Sequence, residues 1–134
     1  MAEKPGLTRH ERRVVLELAG QYDQYNDEYF DGKLPTLSFV VTMEKGDAAM
    51  AYDQENRRIE IARDCIDHGN RANNIRLLHE MAHVKLRDLV STAEYGALMS
   101  NKDWKERYET IVHGASFWVE IKRLIEVGAY RELL

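Results

Sequence analysis

The stretch Ile75-Arg76-Leu77-Leu78-His79-Glu80-Met81-Ala82-His83-Val84-Lys85-Leu86 constrains this chain more than any other. It contains H-E-x-x-H. Ile75, Leu78, Ala82, Leu86 and Leu89 recur at helical spacing beside the histidines, which predicts a helix with that stripe turned inward. On such a helix His79 and His83 stand one turn apart on one face, so both imidazoles can reach one Zn²⁺. Glu80 follows about 100° further round. It lies beside the ion rather than on it, where a carboxylate can take a proton from a zinc-activated water. With 5 His and 14 Glu in 134 residues, a shuffled chain would carry the pattern about 2% of the time, so it needs support from elsewhere. The plain alternative is a surface helix with two solvated histidines, and the apolar stripe argues against it.

A length of 134 residues suits one domain with one core, spanning 1–134. The 44% hydrophobic and 31% charged shares suit a soluble globular protein. No apolar run is long enough to cross a bilayer, which argues against a membrane partner. Met1-Ala2-Glu3-Lys4-Pro5-Gly6 leads into no apolar segment, so no secretory signal is expected. Cys65 is the only cysteine, which excludes an intrachain disulfide and fits a cytoplasmic location. The formal net charge of −4 sets the chain apart from basic nucleic-acid-binding domains. Arg57-Arg58 and Lys122-Arg123 are expected as solvated faces.

From the N-terminus, Thr8-Arg9-His10-Glu11 reads as a capping box, with an exposed His10. Val14, Val15, Leu18, Ala19, Tyr22, Tyr25, Tyr29 and Phe30 follow at helical spacing. Asp31-Gly32 supplies a stop, and Pro35 prevents resumption. Leu37 to Met43 reads as a strand, Ala48 to Tyr52 as a weaker one, and Arg57 to Ala62 as a third that alternates, with turns at Glu44–Asp47 and Asp53–Asn56. The expectation is a small antiparallel sheet with one face packed on helices and an edge able to hold an extended peptide. Cys65 and His68 form a Cys-x-x-His pair, too few ligands for a site by themselves. Gly69-Asn70 falls just before the histidine helix. Ser91 to Ser100 has weak helical character, and Trp104, Tyr108 and Ile111 give a short helical pattern. Phe117, Ile121, Leu124 and Ile125 mark an amphipathic helix that closes near Gly128.

A catalytic zinc generally takes three protein ligands and leaves a position open. The metzincin pattern H-E-x-x-H-x-x-G-x-x-H fails, because Leu86 and Leu89 occupy the last two signature positions. A gluzincin-type third ligand would be Glu106, Glu109 or Glu120. A three-histidine site would use His113, the one histidine downstream of His83.

Three motifs occur in order: Asn26-Asp27-Glu28-Tyr29-Phe30-Asp31-Gly32-Lys33-Leu34-Pro35, then His79 to His83, then His113-Gly114-Ala115-Ser116-Phe117. Together they resemble the SprT-like, Spartan-type zinc metalloproteases over roughly Val14 to Ile125, in a minimal form without a C-terminal zinc ribbon. The resemblance implies an α+β, zincin-like fold: a small sheet on an N-terminal helix and an active-site helix, with a C-terminal helix bringing the third ligand. It implies His79, His83 and His113 as zinc ligands, Glu80 as general base, close backbone packing at Gly114, and Phe117 as core. The Asn26 to Pro35 stretch is then structural.

The activity implied is peptide-bond hydrolysis by an endopeptidase on a protein or peptide substrate, with Tyr95 or Tyr108 as candidate oxyanion donors. The family also suggests action on DNA-associated proteins, which the acidic charge does not support and a partner protein could supply. A non-catalytic zinc-binding interaction domain is a third reading; structural zinc sites are normally closed by four ligands, which counts against it. Thirty positions separate His83 from His113, more than the compact spacing of the family. The extra Ser91–Val112 segment would be a lid or substrate wall, unless the third ligand lies elsewhere.

Overall fold

A reciprocal cap starts the first helix, α1 (Arg9–Tyr29), in a computed structural model that describes residues 7–42, 49–87 and 115–133. Thr8 Oγ1 accepts from the Glu11 N–H at 3.0 Å, and Glu11 Oε1 accepts from the Thr8 N–H at 2.9 Å. Two of the orphan donors at a helix start are thereby satisfied. Glu11 is buried, and its other oxygen meets Arg63 Nε at 2.7 Å. The Thr8 backbone hydrogen bond holds the Glu11 carboxyl below its usual pKa; Arg63 adds to that effect and burial opposes it. Val14, Leu18, Tyr22 and Tyr25 form the buried stripe that the 3.6-residue period requires.

The end of α1 is a latch. The Asn26 carbonyl accepts from the N–H groups of Phe30 and Gly32 at 3.0 and 2.9 Å. Its side chain then bonds both backbone groups of Leu34, at 3.2 and 3.0 Å. The reversal needs two successive left-handed residues, Asp31 at φ 55° and Gly32 at φ 69°, which is why glycine stands at the second. Tyr22 Oη donates to the Pro35 carbonyl at 2.6 Å, tying the helix to the chain entering the sheet. The Asn26 to Pro35 stretch is structural, as expected.

Three strands follow among the described residues, β1 (Ser38–Thr42), β2 (Met50–Asp53) and β3 (Arg58–Ala62), in the order β1-β3-β2. The expectation of an antiparallel sheet needs correction, because β3 runs antiparallel to β2 and parallel to β1. Consecutive strands do alternate in direction, but the third inserts between the first two. The reason is burial. Ile59, Ile61 and Ala62 are almost wholly buried, so the strand with the most deeply buried side chains holds the centre and β1 and β2 are its edges. Period-2 patterning sets which face is inward and says nothing about neighbour order.

A 3-10 turn (Arg63–Cys65) leads to α2 (Asn70–Arg87). Asn70 is its first residue rather than a residue before it. The helix is buried on more than the predicted stripe: Leu77, Leu78, Met81, Ala82 and Val84 are fully inaccessible, whereas Ile75 and Leu86 are only partly buried. Each large side chain among them contributes about 1.5–3 kcal/mol of burial. Asn73, also buried, donates to the Ile66 carbonyl at 3.0 Å, so its polarity is met.

The last helix, α3 (Ala115–Glu126), packs on α2 through Phe117 and Leu124. Ile125 is 51% exposed, contrary to the expected stripe, and the buried Glu120 takes a place on the inner side. Gly128 at φ 88° ends the helix, and Ala129, Tyr130 and Leu133 fold back into the core. Burial, reinforced by Tyr25, pushes the Tyr130 phenol up to about 12. The architecture is α+β, with three helices around a small mixed sheet among the described residues. No described helix is long and apolar enough to cross a membrane.

Candidate metal centre

Helical geometry brings His79 and His83 together, as the i,i+4 spacing requires. Their Nε2 atoms lie 3.1 Å apart. His83 is buried and His79 half-buried, so neither belongs to a solvated surface helix. Two nitrogens on one tetrahedral zinc, each at 2.0–2.1 Å, would be roughly 3.3 Å apart. The pair therefore fits a shared ion, and imidazole nitrogen is a donor that zinc accepts well. His79, Glu80 and His83 form the one group of metal-capable side chains among the described residues, with one ligand atom from each within 4.8 Å of the others.

Glu80 is 8% exposed. Its Oε2 accepts a hydrogen bond from the backbone N–H of Tyr52, in β2, at 3.0 Å. The sheet thus reaches the site through a main-chain group, for which the side-chain sequence carries no signal. On the other flank stands Phe117. Its ring stacks on His83 at 4.5 Å and 21° and meets His79 edge-on at 4.9 Å and 63°. Phe117 is core, as expected, and it also packs against both imidazoles, restricting their rotamers. Trp118, 60% exposed, meets the Phe117 ring edge-on at 5.3 Å.

Glu120, one of the glutamates considered as a ligand, faces cations instead. It accepts from Lys85 Nζ at 2.8 Å and from Arg123 Nε at 2.9 Å. Arg123 continues to the Tyr29 carbonyl at 2.8 Å and lies over the Phe30 ring at 5.3 Å. This network joins α2, α3 and the end of α1. Burial alone would raise the Glu120 pKa, but the bonds and charges of Arg123 and Lys85 outweigh it and the net shift is downward. Arg123 is therefore not part of a solvated basic face. Arg58 likewise sits 3.3 Å from Asp53 and 3.7 Å from Glu60.

The remaining candidates divide clearly. Cys65 and His68 join no metal-capable group among the described residues; His68 Nδ1 faces Arg76 Nη2 at 2.9 Å. His10 is exposed and pairs with Asp67. His113, Gly114, Glu106, Glu109, Tyr95, Tyr108 and the Ser91–Val112 segment lie outside the described residues.

Neither a curated protein nor a solved structure matches the chain. The family model described as SprT-like matches residues 18–123, from the middle of α1 through the sheet and α2 into α3. That span holds the latch, the histidine pair with Glu80, and the Phe117–Glu120 wall, and it covers most of the chain: this protein belongs to the SprT-like family.

Proposed function

We propose that this protein is a zinc-dependent metallopeptidase, an endopeptidase that hydrolyses peptide bonds in protein or peptide substrates. The carrying observation is the convergence of His79 and His83 Nε2, 3.1 Å apart, beside a buried Glu80 carboxylate. Family membership supports the same reading. His79 and His83 would hold the ion, with His113 as the third ligand proposed from its H-G-x-x-F motif. When bound, zinc would supply Lewis acidity toward the scissile carbonyl and lower the pKa of water toward about 7.

Glu80 accepts the proton of the attacking water and returns it to the leaving amine nitrogen, so one carboxylate serves as base and then as acid. Its burial keeps the carboxylate in a low-dielectric pocket, where its charge acts strongly on nearby protons. Phe117 shields the imidazoles on one side and limits their motion. Glu80→Gln keeps the shape and removes the base. It should lower kcat by about 10²–10⁴-fold while zinc content stays unchanged. A variant that cleaves at the parental rate would overturn the proposal.

A second reading, action on DNA-associated proteins, is favoured by one surface. Arg9, Arg12 and Arg13 line a shallow hollow on α1 with Leu7, Leu16 and one carboxylate, Glu17, despite the net charge of −4. Three guanidinium groups at helical spacing suit phosphates. Binding to duplex and single-stranded DNA across a salt series tests this. Affinity that survives replacement of all three arginines by glutamine, or no binding at low salt, rejects a role for this surface.

A further inference from the structure

We propose that the backbone amide of Tyr52 is a positioning group for Glu80, delivered by β2, an edge strand of the sheet among the described residues. The strand register dictates which amides of β2 point outward. Ala62 N–H donates to the Ala49 carbonyl at 2.9 Å, and Met50, Ala51, Tyr52 and Asp53 lie opposite Ile61, Glu60, Ile59 and Arg58. In an antiparallel ladder, residues alternate between exchanging both hydrogen bonds with the opposite residue and exchanging none. The 49/62 pair exchanges them, so Ala51 and Asp53 face β3, and Met50 and Tyr52 turn their polar groups to the other side. That side borders α2, because β2 is an edge strand in contact with it. The Tyr52 N–H meets Glu80 Oε2 there at 3.0 Å.

A glutamate side chain has three rotatable bonds, and burial alone does not choose among its rotamers. A charge-assisted bond from a fixed main-chain donor does choose. With Oε2 anchored, the carboxylate plane is fixed, and a Glu80 oxygen is held within 4.8 Å of the histidine ligand atoms. The donor cannot drift, since Ala51 and Asp53 on either side are bonded into the ladder. The base is thus aimed by the sheet while its Cα rides on α2, and misplacement by a fraction of an ångström is the kind of error that slows catalysis most.

The inference rests on reading Glu80 as the base, and two measurements separate the two claims. Amide hydrogen exchange of the apoprotein probes the contact without any activity. Tyr52 N–H should be protected in the parent and exchange at least about tenfold faster in Glu80→Ala, with Ala51 and Asp53 unchanged. Kinetics probe the consequence. Tyr52→Pro deletes an outward-facing donor on an edge strand, a place where proline is tolerated, together with the tyrosine ring. It should lower kcat on the order of 10²-fold with little change in KM and with zinc retained. Tyr52→Ala, which keeps the amide and loses the ring, should lose at least about tenfold less kcat than the proline variant.

Unchanged Tyr52 exchange in Glu80→Ala overturns the inference, whether or not the proline variant folds. Equal kcat losses in the proline and alanine variants overturn it as well. A parent protein that cleaves no substrate overturns the peptidase reading, with the exchange result standing on its own.

Discussion

The two walls of the metal centre are built by different physics. On α2, two candidate ligands and a carboxylate fall within five residues, and the helix pitch sets His79 and His83 on one face with their Nε2 atoms 3.1 Å apart. On α3, Glu120 has one local partner, Arg123 three residues on, and nothing local aims Phe117. Phe117 meets the imidazoles only because α3 docks on α2, and that docking includes a buried carboxylate shared by Lys85 and Arg123. One wall is encoded in a five-residue spacing, the other in contacts more than thirty residues apart. Damage to the first should remove chemistry and leave the fold; damage to the second should loosen the fold first.

The largest effect is expected on the α2 wall. The double variant His79→Ala, His83→Ala should lose more than about 10²-fold in zinc affinity while its circular dichroism spectrum stays parental. Elemental analysis of untagged protein checks this, with one zinc per parental chain expected. Full occupancy in the double variant would break the comparison at once. His113→Ala should do the same, whereas Glu106→Ala and Glu109→Ala should keep zinc bound. Zinc retained by His113→Ala and lost by a glutamate variant would make the site gluzincin-like.

On the α3 wall, Glu120→Ala should cost about 1.5–3 kcal/mol, toward the lower end for a broken buried ion pair. Lys85 and Arg123 still reach solvent, with side chains 42% and 34% exposed, so the charges left behind are rehydrated. Denaturant unfolding measures the loss. The pH dependence has a defined sign. Because the folded Glu120 pKa is lowered from 4.5, its contribution is present above the unfolded value and is lost as pH falls through the folded value. The stability gap between parent and Glu120→Ala should therefore narrow below about pH 4.5. A gap constant from pH 7 to pH 3 would show that the ion pairs do not hold this wall.

The smallest effect is a control outside both walls. Gly20 lies within α1, and a Cβ there would meet nothing within 4 Å. Gly20→Ala should add about 0.5–1 kcal/mol through helix propensity and a less flexible unfolded chain. Neither zinc content nor kcat should move with it.

Much of this was legible because the deciding interactions are local. The Thr8–Glu11 cap, the α1 stripe and the Asp31-Gly32 stop follow from spacings of three or four residues, and so does the histidine pair. Strand order was not legible, since β1 and β3 meet across an intervening strand and alternation carries no neighbour information. Glu80 was legible as a candidate base from its place in the motif, but its anchor was not, because the donor is a main-chain N–H that any residue at position 52 other than proline would supply. Ile125 was read as buried from its apolarity, yet the inner position belongs to Glu120, whose charge is matched by partners that sequence does not place beside it. Arg123 departs from the expected solvated face for the same reason, whereas Lys122, 77% exposed, conforms to it.

The Phe117 stack makes the two histidines magnetically unequal. His83 lies nearly parallel to the phenyl ring and His79 stands on edge to it. Circulating π electrons shield nuclei above the face of a ring and deshield those in its plane. The imidazole carbon-bound protons of His83 and His79, set at different angles to the phenyl ring, should therefore resonate apart. Two side chains that are interchangeable in the motif thus carry separate labels, and each can be followed individually as metal is added.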